Sequence, residues 1–118
     1  MRAHTDQSKI ARGRWGEDLA ARFYERRGYT VLDRNWRSPR GELDLVLELD
    51  GTIVFSEVKA RRTARYGSPA EAVGPDKQRR IRLLGLDWLH AHGLGRRTTR
   101  FDVVAITGVE IKLYEGAF

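Results

Sequence analysis

Apolar and polar positions alternate most regularly between Gly41 and Arg62, in the run GELDLVLELDGTIVFSEVKARR. The alternation is broken at Asp50-Gly51. Aspartate-glycine between two apolar-rich runs is a strong hairpin signal, because glycine readily takes the positive φ that such a turn needs. Counting outward from the turn sets Leu49 opposite Thr52, Leu47 opposite Val54, Leu45 opposite Ser56 and Leu43 opposite Val58. The alternate positions set Val46 opposite Phe55, Asp44 opposite Glu57 and Glu42 opposite Lys59. Opposite residues of an antiparallel pair share a face. One face is therefore leucine-rich, and the other carries Val46, Ile53 and Phe55 near the turn, then Asp44, Glu57 and Lys59.

The rest of the chain resolves into elements around this hairpin. Helical spacing runs from about Ser8 to Arg27, with Ser8 as N-cap and Gly28 just past the end. Residues 1–7 read as a disordered leader. Ile10, Leu19 and Phe23, with Ala11, Trp15 and Ala20 beside them, make the apolar stripe of this helix. Gly13, Glu17, Ala20 and Tyr24 share an adjoining face, whose small residues would let the helix approach a sheet and aim Glu17 at it. An ordinary exposed glutamate is the other reading of Glu17. Tyr29 to Trp36 alternates as a strand, and Arg37 to Gly41 reads as a turn entered at Pro39.

Arg61 to Ser68 is polar, contains glycine and has no periodicity, which predicts a mobile loop. Pro69 to Val73 is read as a short helical turn. Pro75 suits the first position of a second helix that runs to about His92 and stops at Gly93. Its buried stripe is Ile81, Leu84, Trp88 and Leu89, with Gly85 marking close packing. His90 and His92, two apart, point to different sides and are poorly placed to chelate. Arg100–Ile106 and Val109–Tyr114 read as two strands around Thr107-Gly108.

At 118 residues the chain is read as a single domain, residues 1–118, large enough to bury a core. It has no cysteine, which excludes disulfides and thiolate metal sites and suits a reducing cytoplasm. The first residues show no apolar segment of a secretory signal, and no apolar run reaches the length of a membrane span. The net charge of +6 points to a polyanionic partner. Its distribution is more informative. Residues 1–40 hold ten Lys/Arg against five Asp/Glu, residues 60–82 hold seven against two, and residues 41–59 between them hold one against five. An acidic hairpin between basic segments suits a cation-dependent enzyme acting on phosphodiesters.

The acidic pair is itself costly. Two carboxylates about 5 Å apart, at an effective dielectric of about 20, repel by roughly 3 kcal/mol. A shared proton, an ammonium or a divalent cation must offset this, and Lys59 supplies an ammonium two residues from Glu57. Oxygen ligands of this kind suit Mg2+ or Mn2+ rather than zinc. A solvated strand end with a Glu42–Lys59 ion pair is the plainer reading. Arg61, Arg62 and Arg65 of the loop would hang over the site as a substrate clamp or be a solvated loop. Lys77, Gln78, Arg79 and Arg80, in the first turns of the second helix, are candidate phosphate contacts. Asp102, among apolar residues, reads as a salt-bridge or turn-side residue before a further acidic contributor to the site.

The ordered set Gly16-Glu17, Asn35-Trp36-Arg37, Gly41-Glu42-Leu43-Asp44-Leu45, Phe55-Ser56-Glu57-Val58-Lys59, Arg61-Arg62, Gly67, Ala72-Val73, Lys77 and Arg100 to Val104 resembles the PD-(D/E)-x-K nuclease superfamily. More closely, it resembles the bacterial YraN family of endonuclease-like proteins, over about residues 10–114. The resemblance implies a restriction-endonuclease-like α/β fold of three layers, with a mixed sheet of about five strands and helices on both faces. It implies that Asp44, Glu57 and the Val58 carbonyl hold Mg2+ or Mn2+, and that Lys59 orients the attacking water or stabilises the phosphate. Glu17 would match the helix glutamate of proteins similar to archaeal Holliday-junction resolvases; related resolvases are dimers, so a homodimer is one assembly open to this chain. Leu43 stands where the superfamily name has proline. The implied function is a metal-dependent nuclease on DNA, branched or repair intermediates included. A non-catalytic nucleic-acid-binding or scaffold module on the same fold is the alternative, and a buried structural triad within a protein–protein module is a third.

Overall fold

The computed structural model describes residues 2–61, 73–108 and 110–118, with side chains from residue 13 onward, that of Arg61 apart. In chain order the elements are α1 (Arg2–Arg26), β1 (Thr30–Ser38), β2 (Gly41–Leu49), β3 (Thr52–Arg61), α2 (Pro75–Ala91), β4 (Thr98–Thr107) and β5 (Glu110–Tyr114). The strands form one sheet in the order β1-β2-β3-β4-β5. Neighbours run antiparallel except β3 and β4, which are parallel and are joined through α2. That mixed pattern follows from connection length, since a parallel pair needs a crossover and an antiparallel pair only a turn.

Two core clusters lie on the two faces of the sheet. Ala20, Ala21 and Tyr24 of α1 pack with Leu45, Leu47, Val54, Val104 and Ile106. Ile81, Leu84, Trp88 and Leu89 of α2 pack with Val46, Ile53, Phe55 and Val103. The result is a helix–sheet–helix α/β architecture compatible with the restriction-endonuclease-like fold. No helix among the described residues is long and apolar enough to cross a membrane.

The central hairpin turns where the pattern placed it. Asp50 and Gly51 both have positive φ, 50° and 83°, the combination of a two-residue turn whose twist matches the flanking strands. The register follows from Leu49 opposite Thr52 through Leu47 opposite Val54 and Val46 opposite Phe55 to Leu45 opposite Ser56. There it stops. The expected pairs Leu43–Val58, Asp44–Glu57 and Glu42–Lys59 are absent from the ladder, because the two strands are drawn apart by their outer neighbours. The start of β2 stays with β1, pairing Trp36 with Leu43 and Arg37 with Glu42. The end of β3 stays with β4 as far as Arg61 opposite Thr107. Leu43 changes sides with the parting. It packs with Val46 and Phe55 in the α2 cluster rather than with Leu45 and Leu47.

Both helices end in the same way. Gly28 has φ 89°, its N–H donates to Glu25 O, and Tyr29 N–H donates to Tyr24 O. Gly93 has φ 66°, with Gly93 N–H on His90 O and Leu94 N–H on Leu89 O. These paired bonds satisfy the last carbonyls, and a left-handed residue at that position favours glycine. At Gly85 the constraint is space: a Cβ there would lie 3.0 Å from the Phe55 ring.

α1 differs from expectation in extent and in facing. It begins at Arg2 rather than Ser8, running through the segment read as a leader. No glycine or proline interrupts residues 2–12, and an interior serine costs only a few tenths of a kcal/mol. The face turned to the sheet is Gly16, Ala20 and Tyr24, while Trp15 is 46% exposed and Leu19 is only half-buried. Gly16 makes the close approach, since its Cβ would meet the Ala60 Cβ at 3.2 Å. Tyr24 is the anchor. Its hydroxyl lies 2.8 Å from Ser56 Oγ and donates to Asp102 Oδ2 at 2.9 Å. Asp102, wholly buried, also accepts both arms of Arg100 and the Gly116 N–H, which confirms its reading as a salt-bridge partner. The segment expected to form a helical turn at 69–73 lies outside the described residues but for Val73, which is buried in the α2 cluster.

Candidate active site

The parting of β2 from β3 opens a gap between the strands, and Asp44 fills it. Its Oδ2 accepts the Val58 N–H at 2.9 Å, so a side chain completes the hydrogen bond that a ladder partner would have made. Asp44 is half-buried, and its carboxyl is pushed up to about 7, first by loss of solvation, then by Glu57, with Glu17 and Glu42 adding to the rise. The Val58 N–H opposes the shift without cancelling it.

Glu57 lies alongside on β3 with its side chain 10% exposed. Two ammoniums address the same oxygen: Lys77 Nζ at 3.0 Å from Oε1 and Lys59 Nζ at 3.7 Å. Lys59 is drawn below the ordinary lysine value, by burial first and then by the neighbouring Lys77. From the opposite face of the sheet, α1 presents Glu17. Its Oε2 is buried and, among the described residues, has no hydrogen-bond partner. Glu17, Glu42 and Asp44 each offer a carboxylate oxygen within 4.8 Å of the others.

A cavity of about 350 Å³ opens beside these groups, lined by Glu42, Asp44, Glu57, Lys77 and Arg80 among others. A second, of about 400 Å³, lies on the α1 side against Arg14, Glu17, Asn35 and Arg37. The donor set fits a hard divalent cation. Four carboxylates converge, Glu17, Glu42, Asp44 and Glu57, against the two ammoniums on Glu57. With Arg37 on Glu42 counted beside the two lysines, one negative charge remains when all are ionised. A divalent ion would more than offset it and would give the orphaned Glu17 Oε2 a partner.

These distances bring Asp44, Glu57, Lys59 and Glu17 to one end of the sheet. The acidic group whose oxygens approach most closely is Glu17, Glu42 and Asp44, whereas Glu57 stands against the lysines. Glu42 was foreseen as a partner of Lys59, and it pairs instead with Arg37 at 3.2 Å. Its two-residue spacing from Asp44 was the available signal. Lys77 turns inward to Glu57. Arg80 lines the cavity, Arg79 is exposed beside Asp76, and the Gln78 amide donates to the Val73 carbonyl at 2.7 Å. Gln78 thus serves the helix entrance. Arg62 and Arg65 lie outside the described residues, as does the Arg61 side chain. His92 stacks on Trp88, its Nδ1 2.8 Å from the Trp88 carbonyl, in keeping with a non-chelating role.

The pattern that defines the family described as "Uncharacterised protein family UPF0102" matches residues 16–106, which includes every element from the middle of α1 through most of β4. The chain belongs to the UPF0102 family, also known as YraN. A UPF0102 protein of Rhodococcus jostii is 55% identical over 97 residues, 82% of each chain. One of Renibacterium salmoninarum is 48% identical over 100 residues, 85% of each chain. A UPF0102 protein of Frankia casuarinae is 47% identical over 117 residues, 95% of this chain and 99% of its own. All four carboxylates and both lysines of the site fall inside the UPF0102 match.

Proposed function

We propose that this UPF0102 protein is a Mg2+- or Mn2+-dependent phosphodiesterase acting on DNA. The observation that carries the reading is the Asp44 carboxylate standing in the gap between β2 and β3, amid other carboxylates and with two lysine ammoniums on Glu57. Such a constellation is unfavourable as a structural device, because it concentrates like charge where solvation is poor. It suits a site that takes up a cation and a phosphate together.

In this reading Asp44, Glu57 and the Val58 carbonyl hold the cation, and Glu17 adds a carboxylate from α1. A divalent ion in such a site supplies a nucleophilic water at neutral pH and withdraws charge from the phosphate. Lys59, with its pKa drawn down, lies beside Glu57 where it orients the water or neutralises the developing charge. Arg80 on one side, and Arg14 and Arg37 on the other, contact flanking phosphates; exposed arginines position a backbone without reading its bases. By resemblance to resolvase-like nucleases, branched DNA and repair intermediates are substrates to test beside linear DNA.

The test is cleavage of labelled linear and branched DNA with Mg2+ or Mn2+, comparing the wild type with Asp44→Asn and Glu57→Gln. Each variant is expected to lose at least roughly 10²-fold in rate, with DNA affinity changed little. Equal cleavage by all three proteins would remove the assignment and favour a binding module.

A further inference from the structure

We infer that Lys77 is the resident counter-ion of Glu57 and competes with a divalent cation for it, so that uptake of the cation releases the lysine to the substrate phosphate. The inference rests on the metal-dependent reading above and concerns the order in which that site is filled. Lys77 approaches Glu57 Oε1 more closely than Lys59 does, 3.0 Å against 3.7 Å. The two lysines are differently held. Lys59 is fixed in the β3–β4 ladder opposite Ala105. Lys77 stands in the first turn of α2, its side chain 33% exposed at the edge of the 350 Å³ cavity.

Glu57 is the most buried carboxylate of the group, so leaving it unpaired in the metal-free protein would be costly. An ammonium on a long flexible stem meets that need without closing the site, whereas Lys59 alone stands too far off for a hydrogen bond. A divalent ion taken up by Glu57 meets a positive charge already on the same oxygen, and the two exclude each other. The displaced stem has the cavity to swing into, next to Arg80, where an incoming phosphate offers it a new anionic partner. Cation binding and phosphate binding are thereby linked through one side chain, and such linkage is reciprocal.

The experiment is a calorimetric titration with Mn2+, in the absence of nucleic acid, of the wild type, Lys77→Met, Lys77→Arg and Arg80→Met. Lys77→Met is expected to bind Mn2+ about tenfold more tightly than the wild type. Arg80→Met, which removes a charge from the same cavity without touching Glu57, is expected to stay within about twofold, and Lys77→Arg, which keeps a cation on Glu57, within about threefold. In a second measurement, the gain in affinity for a fluorescent DNA duplex on adding Mn2+ should shrink in Lys77→Met. Unchanged or weaker Mn2+ binding by Lys77→Met would overturn the inference while leaving the metal reading intact. An equal gain in Arg80→Met would also overturn it, by showing only the general field of the cavity. Absence of Mn2+ binding in the wild type and Lys77→Met alike would remove the metal reading, and this inference with it.

Discussion

Two aspartates sit beside the same β3 strand in opposite circumstances. Asp102 is wholly buried and accepts from the Tyr24 hydroxyl, from both arms of Arg100 and from the Gly116 N–H. Its charge is cancelled and its lone pairs are occupied. Asp44 is less buried, yet it has one backbone donor and faces Glu57, Glu17 and Glu42. Burial alone therefore does not separate a satisfied carboxylate from an uncompensated one. The count and sign of the groups around it do.

The comparison breaks most visibly at Asp102. Asp102→Asn keeps the shape but strands the Arg100 guanidinium and turns an amide N–H2 toward donors. It should lower the unfolding free energy by about 3–5 kcal/mol in urea titrations, the cost of breaking a buried charged pair. A change under about 1 kcal/mol would mean that the Asp102 network is not the clamp its geometry suggests.

The pH dependence sharpens the other half. The folded-state pKa of Asp44, about 7, lies above its ordinary value of 3.8, so the native state holds this proton more tightly than the unfolded chain. Stability should therefore fall as pH rises from about 4 to about 7 in metal-free buffer, and level off above that. Relative to the wild type, Asp44→Asn should show little difference below about pH 4 and a stabilisation of roughly 2–4 kcal/mol by pH 8, measured by denaturation in EDTA. A stability difference that does not vary with pH would contradict the assigned electrostatics.

Away from either aspartate the effects should be smaller and of ordinary packing origin. Gly85→Ala forces a methyl against the Phe55 ring, where the gap is 3.0 Å, and should cost about 1–3 kcal/mol. Arg79→Ala, on an exposed pair with Asp76, should stay within about 0.5 kcal/mol of the wild type. A large loss there would show that surface charge is supporting the fold more broadly.

Much of this arrangement was legible in the residues. The Asp50-Gly51 turn, the register beside it, the stop of α2 at Gly93 and the role of Gly85 all depend on local chemistry, and the structure bears each out. Period-two counting set Asp44, Glu57 and Lys59 on one face, but through ladder pairs that the structure does not form. What counting missed was the parting of the strands, because it depends on β1 and β4 each holding one side, and no residue within the hairpin reports on them. The change of side by Leu43 follows from the same competition. The facing of α1 was misjudged for a related reason. Its apolar pattern is weak, and the deciding contact, Tyr24 with Ser56 and Asp102, joins residues far apart in the chain. Lys77 was placed among phosphate contacts because its spacing shows a basic cluster, while only the crossover into α2 turns it toward Glu57.

The central claim is that Asp44 is held at an energetic cost which a divalent cation relieves. Its most direct test is chemical denaturation of the wild type and Asp44→Asn at pH 8, each in EDTA and in Mn2+. The expected result is that Asp44→Asn exceeds the wild type in EDTA by roughly 2–4 kcal/mol, and that Mn2+ stabilises the wild type but not the variant. A loss of several kcal/mol in EDTA, of the kind expected for Asp102→Asn, would contradict it.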